Sequence, residues 1–282
     1  MRQRVGDRGP FTEDVGVLLD SGGELGECKP DDGSIALRIE QASGWSTARA
    51  TLEPEAARIL DLYVPLCVGA NASSLVVGHL AQSLDGRVAT NSGISQFISG
   101  EADLVHTHRL RALFDAVIVG AGTAELDDPQ LTTRRVEGSN PTRVVLDGRG
   151  RLRPDRRVFN DGNAPTLLVR GRGAPPFAAG PLTEVVEVDV DDGWMALPAV
   201  IAALAERGLR RLFIEGGGVT VSRFIRAKAM DRLHITVAPV LFGSGRPAIV
   251  LPEIESLQDA IQLKCRHIPM GPDMLFDCPL SR

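Results

Sequence analysis

A chain of 282 residues with a formal net charge of −5 and only 4% aromatic residues lacks the basic face and the stacking rings that nucleic-acid binding requires. Its length is enough to bury roughly three quarters of the unfolded surface, one full α/β core plus a small appendage. No run approaches the roughly 18 apolar residues of a membrane span.

The N-terminus carries acidic residues and only a short apolar run, Val15–Leu19. A secretory leader needs a longer one and a small-residue cleavage site, so a soluble, cytoplasmic protein is expected. Cys28, Cys67, Cys265 and Cys278 never form a Cys-x-x-Cys pair, and four reduced thiols are expected. With no zinc-ligand spacing among cysteines and histidines, no metal is expected, and zinc hydrolase or zinc deaminase chemistry is disfavoured. His79, His234 and His267 sit in strand-like apolar runs and read as packed or edge residues.

In chain order, residues 20–34 have the composition of a loop. Residues 52–63 carry Ile59, Leu60 and Tyr63 at helical spacing, and 69–74 (GANASS) reads as a linker. Residues 1–72 are therefore taken as an extension or small subdomain without a functional reading, and 73–282 as the main domain. Strands are predicted over 75–80, 115–119, 143–146, 166–170, 184–190, 211–215, 232–242, 261–268 and 273–278. Helices are predicted over 101–114 (buried stripe Leu110, Leu113, Phe114), 196–207 (Leu197, Val200, Ile201, Leu204) and 219–228 (Val221, Phe224, Ile225). Apolar strands separated by helices indicate an α/β fold, a mostly parallel central sheet with helices on both faces. The last two strands have no helix between them, which predicts an antiparallel C-terminal hairpin at one edge.

Two strands run straight into glycine turns. Gly120-Ala121-Gly122-Thr123 follows the first; glycine there lets a phosphate approach bare backbone N–H groups. The third glycine of a dinucleotide fingerprint is replaced by Glu125, so a plain strand-to-helix turn remains open. Glu215-Gly216-Gly217-Gly218 opens a helix with Val219-Thr220, and a helix N-terminus attracts anions. Pyrophosphate binding is the favoured reading of that turn. Asp127-Asp128-Pro129 and Asp85-Gly86 both carry ordinary turn signals. Arg149, Arg151, Arg153, Arg156 and Arg157 cluster after the strand ending at Asp147; they read as solvated surface or as partners of a ribose 2′-phosphate.

The ordered blocks SLDGRVA (83–89), SGISQFISG (92–100), RLRALFDAVIVGAGT (109–123), DDPQLTTR (127–134), RVVLD (143–147), IEGGGVTVSRF (214–224) and LHITVAPVLFGSG (233–245) resemble the pyrimidine reductase of riboflavin biosynthesis. That is the C-terminal domain of the bifunctional deaminase/reductase, here without the deaminase half. The resemblance covers about 75–280 and implies a dihydrofolate-reductase-like fold, a homodimer and NADPH. The reaction it implies is reduction of 5-amino-6-(5-phosphoribosylamino)uracil, with hydride passing to the sugar C1′. It places Ser95, Arg111, Leu131, Arg134 and Glu215 on the substrate. It places Ala81, Phe97, Thr123, Asp127, Gly217, Gly218, Val219 and Thr220 on the cofactor, alongside Gly120, Gly122 and Gly216 of the turns. Two departures stand out: Phe97 where tryptophan is common, and His79 where relatives often carry a lysine. Asp85 and Glu215 are the candidate proton donors, with an ordered water as the alternative. A pterin, folate or related imine is the second substrate reading, and a non-catalytic nucleotide-binding module the third.

Overall fold

The computed structural model describes residues 37–40, 44–47, 54–68, 74–95, 98–178, 180–191 and 194–280. The loop-like segment 20–34, most of the 69–74 linker, the start of the 52–63 helical pattern, Cys28 and Phe97 lie outside the described residues. The chain divides into two compact units, Met1–Ala72 and Ser73–Arg282. In the first, β1 (Leu37–Glu40) and β2 (Gly44–Thr47) pair antiparallel, followed by α1 (Pro54–Val68).

The second unit runs β3 (Leu75–Ser83), β4 (Arg87–Thr90), α2 (Glu101–Leu113), β5 (Ala116–Gly120), α3 (Ala121–Asp127), β6 (Thr142–Asp147), α4 (Arg157–Asn160) and β7 (Thr166–Gly171). It continues with β8 (Thr183–Val188), β9 (Val190–Asp191), β10 (Trp194–Met195), α5 (Leu197–Glu206), β11 (Arg211–Glu215), α6 (Gly218–Arg226) and β12 (Arg232–Ala238). Last come β13 (Gly245–Pro247), β14 (Arg266–Met270) and β15 (Asp273–Pro279). One 9-stranded sheet has the order β14-β15-β12-β3-β11-β5-β6-β7-β8. It is parallel from β12 to β8, while β15 runs antiparallel to both β12 and β14. The mostly parallel sheet and the antiparallel C-terminal edge are as expected from the sequence.

The apolar strands alternate between two covered faces. Val76, Leu80, Ile118, Val144, Leu212 and Ile214 pack with Leu197, Val200 and Leu204 of α5 and with Val221 and Phe224 of α6. On the opposite face Phe213 meets Phe114, at the end of α2, with ring centroids 6.1 Å apart. Leu110 and Phe114 are buried there as predicted, but so are Asp103, His106, Thr107, His108 and Arg111, which the predicted apolar stripe does not contain.

Several boundaries differ from the sequence reading. The strand predicted over 232–242 stops at Ala238 because Pro239 has no N–H to continue the ladder. The strand predicted over 261–268 begins only at Arg266; Ile261 is exposed at 59% and has no face to bury. The Asp85-Gly86 turn joins β3 to β4, with Gly86 at φ 75° and its N–H donating to the Ser83 carbonyl. Yet β4 pairs with β13 rather than with β3, and neither short strand was expected. Cys67, Cys265 and Cys278 are free thiols, the last two with sulfurs 2.7 Å apart across the edge hairpin.

Candidate active site

A cleft of about 770 Å³ opens along the carboxyl ends of β3, β5, β6 and β11, the edge at which open α/β sheets bind ligands. It is large enough for a dinucleotide portion and a small substrate together. Both glycine turns line it, and they interlock. A Cβ on Gly120 would collide with the Thr220 hydroxyl, and one on Gly217 would come within 2.8 Å of the Thr123 hydroxyl. Each turn thus makes room for the threonine of the other.

The three consecutive glycines have separate reasons. Gly216 and Gly217 take φ of 63° and 68°, the left-handed region that other residues occupy at a cost. Gly218 has no such φ, but a Cβ there would strike the Ala248 carbonyl. Gly217 is the N-cap of α6, so the helix starts at the cleft with its free N–H groups. Gly120, by contrast, leads into α3, so the strand-to-helix reading of that turn is also true.

The residues fit a nicotinamide nucleotide. Gly122 and Gly216 line the cleft, and a Cβ on either would meet no protein atom within 4 Å. The space beside both is open to the cleft. Ala81, Thr123, Asp127, Val219 and Thr220 also line the cleft, so the structure brings together the described cofactor-side residues expected from the sequence.

The substrate-side residues divide. Ser95, Arg111, Arg134 and Glu215 line the cleft; the Ser95 hydroxyl donates to Asp127 Oδ1 at 3.2 Å. Burial raises the Asp127 carboxyl, only partly offset by that hydrogen bond. Leu131 does not face the cleft. It is 1% exposed, in the core, at φ 56°, and with Asp128 at φ 40° it gives the DDPQL loop two left-handed turns. Such non-glycine backbone is uncommon and clusters at functional sites.

Arg111, which the resemblance places on the substrate, lines the cleft but is held inside the protein. It is 7% exposed; its Nε donates to Glu215 Oε2 at 2.7 Å and its Nη2 to Glu215 Oε1 at 2.5 Å. Its Nη1 donates to the Thr132 carbonyl at 2.8 Å. Arg134 is different: its Nη1 donates to the Thr132 hydroxyl at 2.6 Å, and among the described residues no carboxylate pairs with it.

Of the two expected proton donors, the geometry corrects Asp85, which does not line the cleft. It accepts from the Ser83 hydroxyl (2.6 Å) and from the N–H groups of Phe242 (3.1 Å) and Gly243 (2.7 Å), which hold its carboxyl down at about 2. It ties the β3–β4 turn to the loop after β12. Glu215 does line the cleft, as an anion. Burial pushes its carboxyl up, yet the charge and hydrogen bonds of Arg111 outweigh that and leave it lowered.

The arginine cluster splits as well. Arg149 and Arg151 line the cleft. Arg153 pairs with Asp155, Arg156 pairs with Glu125 and Asp155, and the Arg157 N–H donates to Asp128. One further arginine, Arg223 of α6, was not singled out in the sequence. Arg149 and Arg223 lie 5.4 and 4.1 Å from the centroid of the Trp194 ring. Asp147, at the end of β6, accepts the N–H groups of Arg151 (3.0 Å) and Leu152 (2.9 Å).

His79 was read as a packed residue, and it is 4% exposed, but it lines the cleft. Its Nε2 lies 3.0 Å from Asp103 Oδ1. The sequence signal for it was the substitution of histidine where relatives often carry lysine. Asp103 on α2 had no signal at all.

A parallel sheet with two interlocked glycine turns and an arginine-lined cleft at its carboxyl edge is an α/β domain with the architecture of a nucleotide-binding site. The sequence matches the RibD C-terminal domain family over residues 74–276, and the chain belongs to that family. One curated relative is a 2,5-diamino-6-ribosylamino-4(3H)-pyrimidinone 5′-phosphate reductase of Methanothermobacter thermautotrophicus. It is 37% identical over 210 residues, covering 72% of this chain and 96% of that one. The riboflavin biosynthesis protein RibD of Bacillus amyloliquefaciens is 33% identical over 202 residues, 69% of this chain and 54% of that one. The chain thus spans about half the length of that relative. Among solved structures, a diaminohydroxyphosphoribosylaminopyrimidine deaminase/5-amino-6-(5-phosphoribosylamino)uracil reductase of Thermotoga maritima superposes with a TM-score of 0.64. Its identity is 25%, covering 79% of this chain and 60% of that one. The mostly parallel sheet with an antiparallel C-terminal edge is thus shared with a reductase of the family that the sequence resembles.

Proposed function

We propose that the protein reduces 5-amino-6-(5-phosphoribosylamino)uracil with NADPH, giving the ribitylamino product. The observation that carries this reading is Arg134, a cleft-lining guanidinium without a carboxylate partner among the described residues, in the same cleft as two glycine turns with open space beside them. The bound cofactor supplies a hydride for C1′ of the ring-opened sugar, where the substrate presents an imine. Arg134 offers a planar fork to the substrate phosphate. Arg111 acts through Glu215, fixing its carboxylate so that the remaining lone pairs accept from substrate hydroxyl or amino groups. Ser95 and Asp127 close the same side, and positioning is the main contribution of the protein.

NADPH rather than NADH is the cofactor proposed. A carboxylate at the end of the second strand of such folds often accepts the ribose 2′-hydroxyl, whereas Asp147 is spent on backbone N–H groups, and Arg149, Arg151 and Arg223 stand at that end of the cleft.

A second substrate is favoured by the stand-alone relatives, whose name specifies a 2,5-diamino-pyrimidinone with an amino group at position 2. The test is NADPH oxidation followed by absorbance, with the uracil, the diamino-pyrimidinone and dihydrofolate side by side. Oxidation with the uracil establishes the proposal. Oxidation with the diamino compound alone moves the substrate to that one, and oxidation with dihydrofolate alone overturns both.

A cytoplasmic homodimer completes the reading. Leu241, Leu251, Ile254 and Leu257 are exposed, apolar side chains that burial between two copies would take out of water. Light scattering at the mass of a single chain would refute the dimer. Among the described residues no helix is long and apolar enough to cross a membrane.

A further inference from the structure

Four adjacent strands place polar side chains side by side on one face of the sheet. His234 of β12 pairs with Asp277 of β15 and with His79 of β3, and His79 pairs with Glu215 of β11. Helix α2 lays Asp103, His106, Thr107 and Arg111 over this row, and all of them are buried. The β14–β15 hairpin holds the outer end of the row. Asp277 accepts from Arg232 (2.5 Å) and Arg266 (2.8 Å), and Asp273 accepts the Gly100 N–H at the start of α2 (2.6 Å).

This hairpin is also the edge of the sheet, since β14 has a neighbouring strand on one side only. Between β13, which ends at Pro247, and Arg266, where β14 begins, the only regular structure is a 3-10 turn over Leu257–Asp259. The ladder thus starts abruptly at Arg266, and two cysteines stand at that open end. The register Arg266↔Asp277 and His267↔Phe276 continues one step to Cys265 opposite Cys278. Directly opposed residues of antiparallel strands have Cα atoms about 4.5–5.5 Å apart, within the roughly 4.4–6.8 Å that a disulfide spans. The sulfurs already face each other at 2.7 Å, so reaching the bonded separation of about 2.05 Å takes only a small movement.

The two thiols differ in access. Cys278 is 1% exposed and belongs to the same apolar core as Val221 and Phe224 of α6, while Cys265 packs against that core half-buried. Burial, then the Cys265 thiol beside it, pushes the Cys278 thiol up to about 12. Reaction with an outside reagent therefore begins at Cys265, the more accessible sulfur, and Cys278 is placed to complete it.

We propose that Cys265 and Cys278 are a disulfide site, closed by exchange with a low-molecular-weight disulfide, whose bond staples the open end of the edge hairpin. The Cys265 thiolate attacks one sulfur of the external disulfide; a mixed S–S bond forms and one small thiolate leaves. The Cys278 sulfur then attacks Cys265 Sγ, the mixed bond breaks, and the second small thiolate leaves. Two protein thiols are oxidised to one disulfide, and the external disulfide is reduced to two thiols that take up the two protein protons. The bond closes the loop 265–278, which restricts the unfolded chain and stabilises the fold.

The experiment treats the full chain with oxidised glutathione, alkylates the remaining thiols, and reads peptide masses and Tm, with dithiothreitol-treated protein as the reduced control. In wild type the peptides carrying Cys265 and Cys278 should be joined with the loss of two hydrogens, and Tm should rise by about 5–15 °C. Cys278→Ser should stop at the mixed stage, with glutathione on Cys265 and no such rise; Cys278→Ala replaces it if a hydroxyl in the core prevents folding. Cys265→Ser should leave Cys278 unmodified. Wild type in which both cysteines are alkylated, or Cys265 stably keeps glutathione, overturns the proposal. So does a bond from either one to Cys28 or Cys67. A joined pair with unchanged Tm overturns the staple, and an equal rise in Cys278→Ser would trace the stabilisation to another thiol and overturn it as well.

Discussion

Arg111 and Glu215 lie 104 residues apart in sequence and meet through two nearly parallel hydrogen bonds, 2.7 and 2.5 Å long, at the floor of the cleft. The side chains are 8% and 19% exposed, so each ion depends on the other for its solvation. Removing one partner of such a pair leaves a buried charge without compensation, typically about 3–5 kcal/mol. Arg111→Ala should therefore lower unfolding free energy by about that amount in urea titrations. A loss of substrate binding at unchanged stability would instead assign Arg111 a direct contact with substrate.

Arg134→Ala should behave in the reverse way. Its side chain contacts Thr132 and open cleft, so little packing is lost. A lost charge-assisted hydrogen bond is worth roughly 1.5–3 kcal/mol, about tenfold to a hundredfold in KM. Steady-state kinetics should show that rise at nearly constant NADPH affinity and stability. An unchanged KM would remove the phosphate from Arg134.

Much of this architecture could be read from the chain. Strands such as AVIV and RLFIE are apolar on both faces, and α5 and α6 place their apolar residues at helical spacing, so periodicity reports burial directly. Helix α2 is where that rule fails. Its buried side carries Asp103, His106, Thr107, His108 and Arg111, and their partners come from distant strands, as with Asp103 and His79, 24 residues apart, or Thr236 and Asp103, 133 apart. A polar residue in a helix gives no local sign that a matching polar residue waits on a strand. The same limit explains Asp85. Its turn was legible, but the backbone N–H groups of Phe242 and Gly243 that claim its carboxylate were not. Glycine turns were legible because backbone requirements are local.

The glycines of those turns give a paired test. Gly122→Ala adds a methyl group that meets no protein atom within 4 Å, so thermal stability should stay within about 0.5 kcal/mol of wild type, while NADPH affinity falls several-fold. Gly217→Ala places a Cβ at φ 68° and 2.8 Å from the Thr123 hydroxyl, so stability should fall by about 1–2 kcal/mol. Equal NADPH affinity in Gly122→Ala and wild type would show that the cofactor does not lie against that turn.

Cofactor choice can be separated from cofactor binding. Arg149 and Arg223 share the Trp194 ring, an arrangement that holds two guanidinium groups at one end of the cleft. The double substitution Arg149→Ala, Arg223→Ala should raise KM for NADPH by about tenfold to a hundredfold. KM for NADH should barely move. A parallel loss for both cofactors would mean that the pair packs against the adenosine without reading its 2′-phosphate.

The buried polar row makes folding stability acid-sensitive in two windows. Burial first, then neighbouring positive charge, holds the imidazoles of His106 and His234 below their ordinary value. As pH falls through about 6.5 the unfolded chain takes up protons that the native histidines refuse, so unfolding becomes easier. Asp103, Asp277 and Glu215 resist protonation too, because their partners outweigh the effect of burial: His79 and two hydroxyls for the first, His234 and Arg232 for the second, Arg111 for the third. Their stabilisation is complete above the unfolded carboxylate value near 4 and is lost below it. Resistance to urea should thus weaken from pH 7 to 5 by up to about 1.4 kcal/mol per pH unit for each histidine, and again below pH 4. His106→Gln should make the first window shallower, with His234 keeping the rest of it, and leave the second. A wild type equally stable at pH 7 and pH 5 would show that these histidines are already charged in the folded protein.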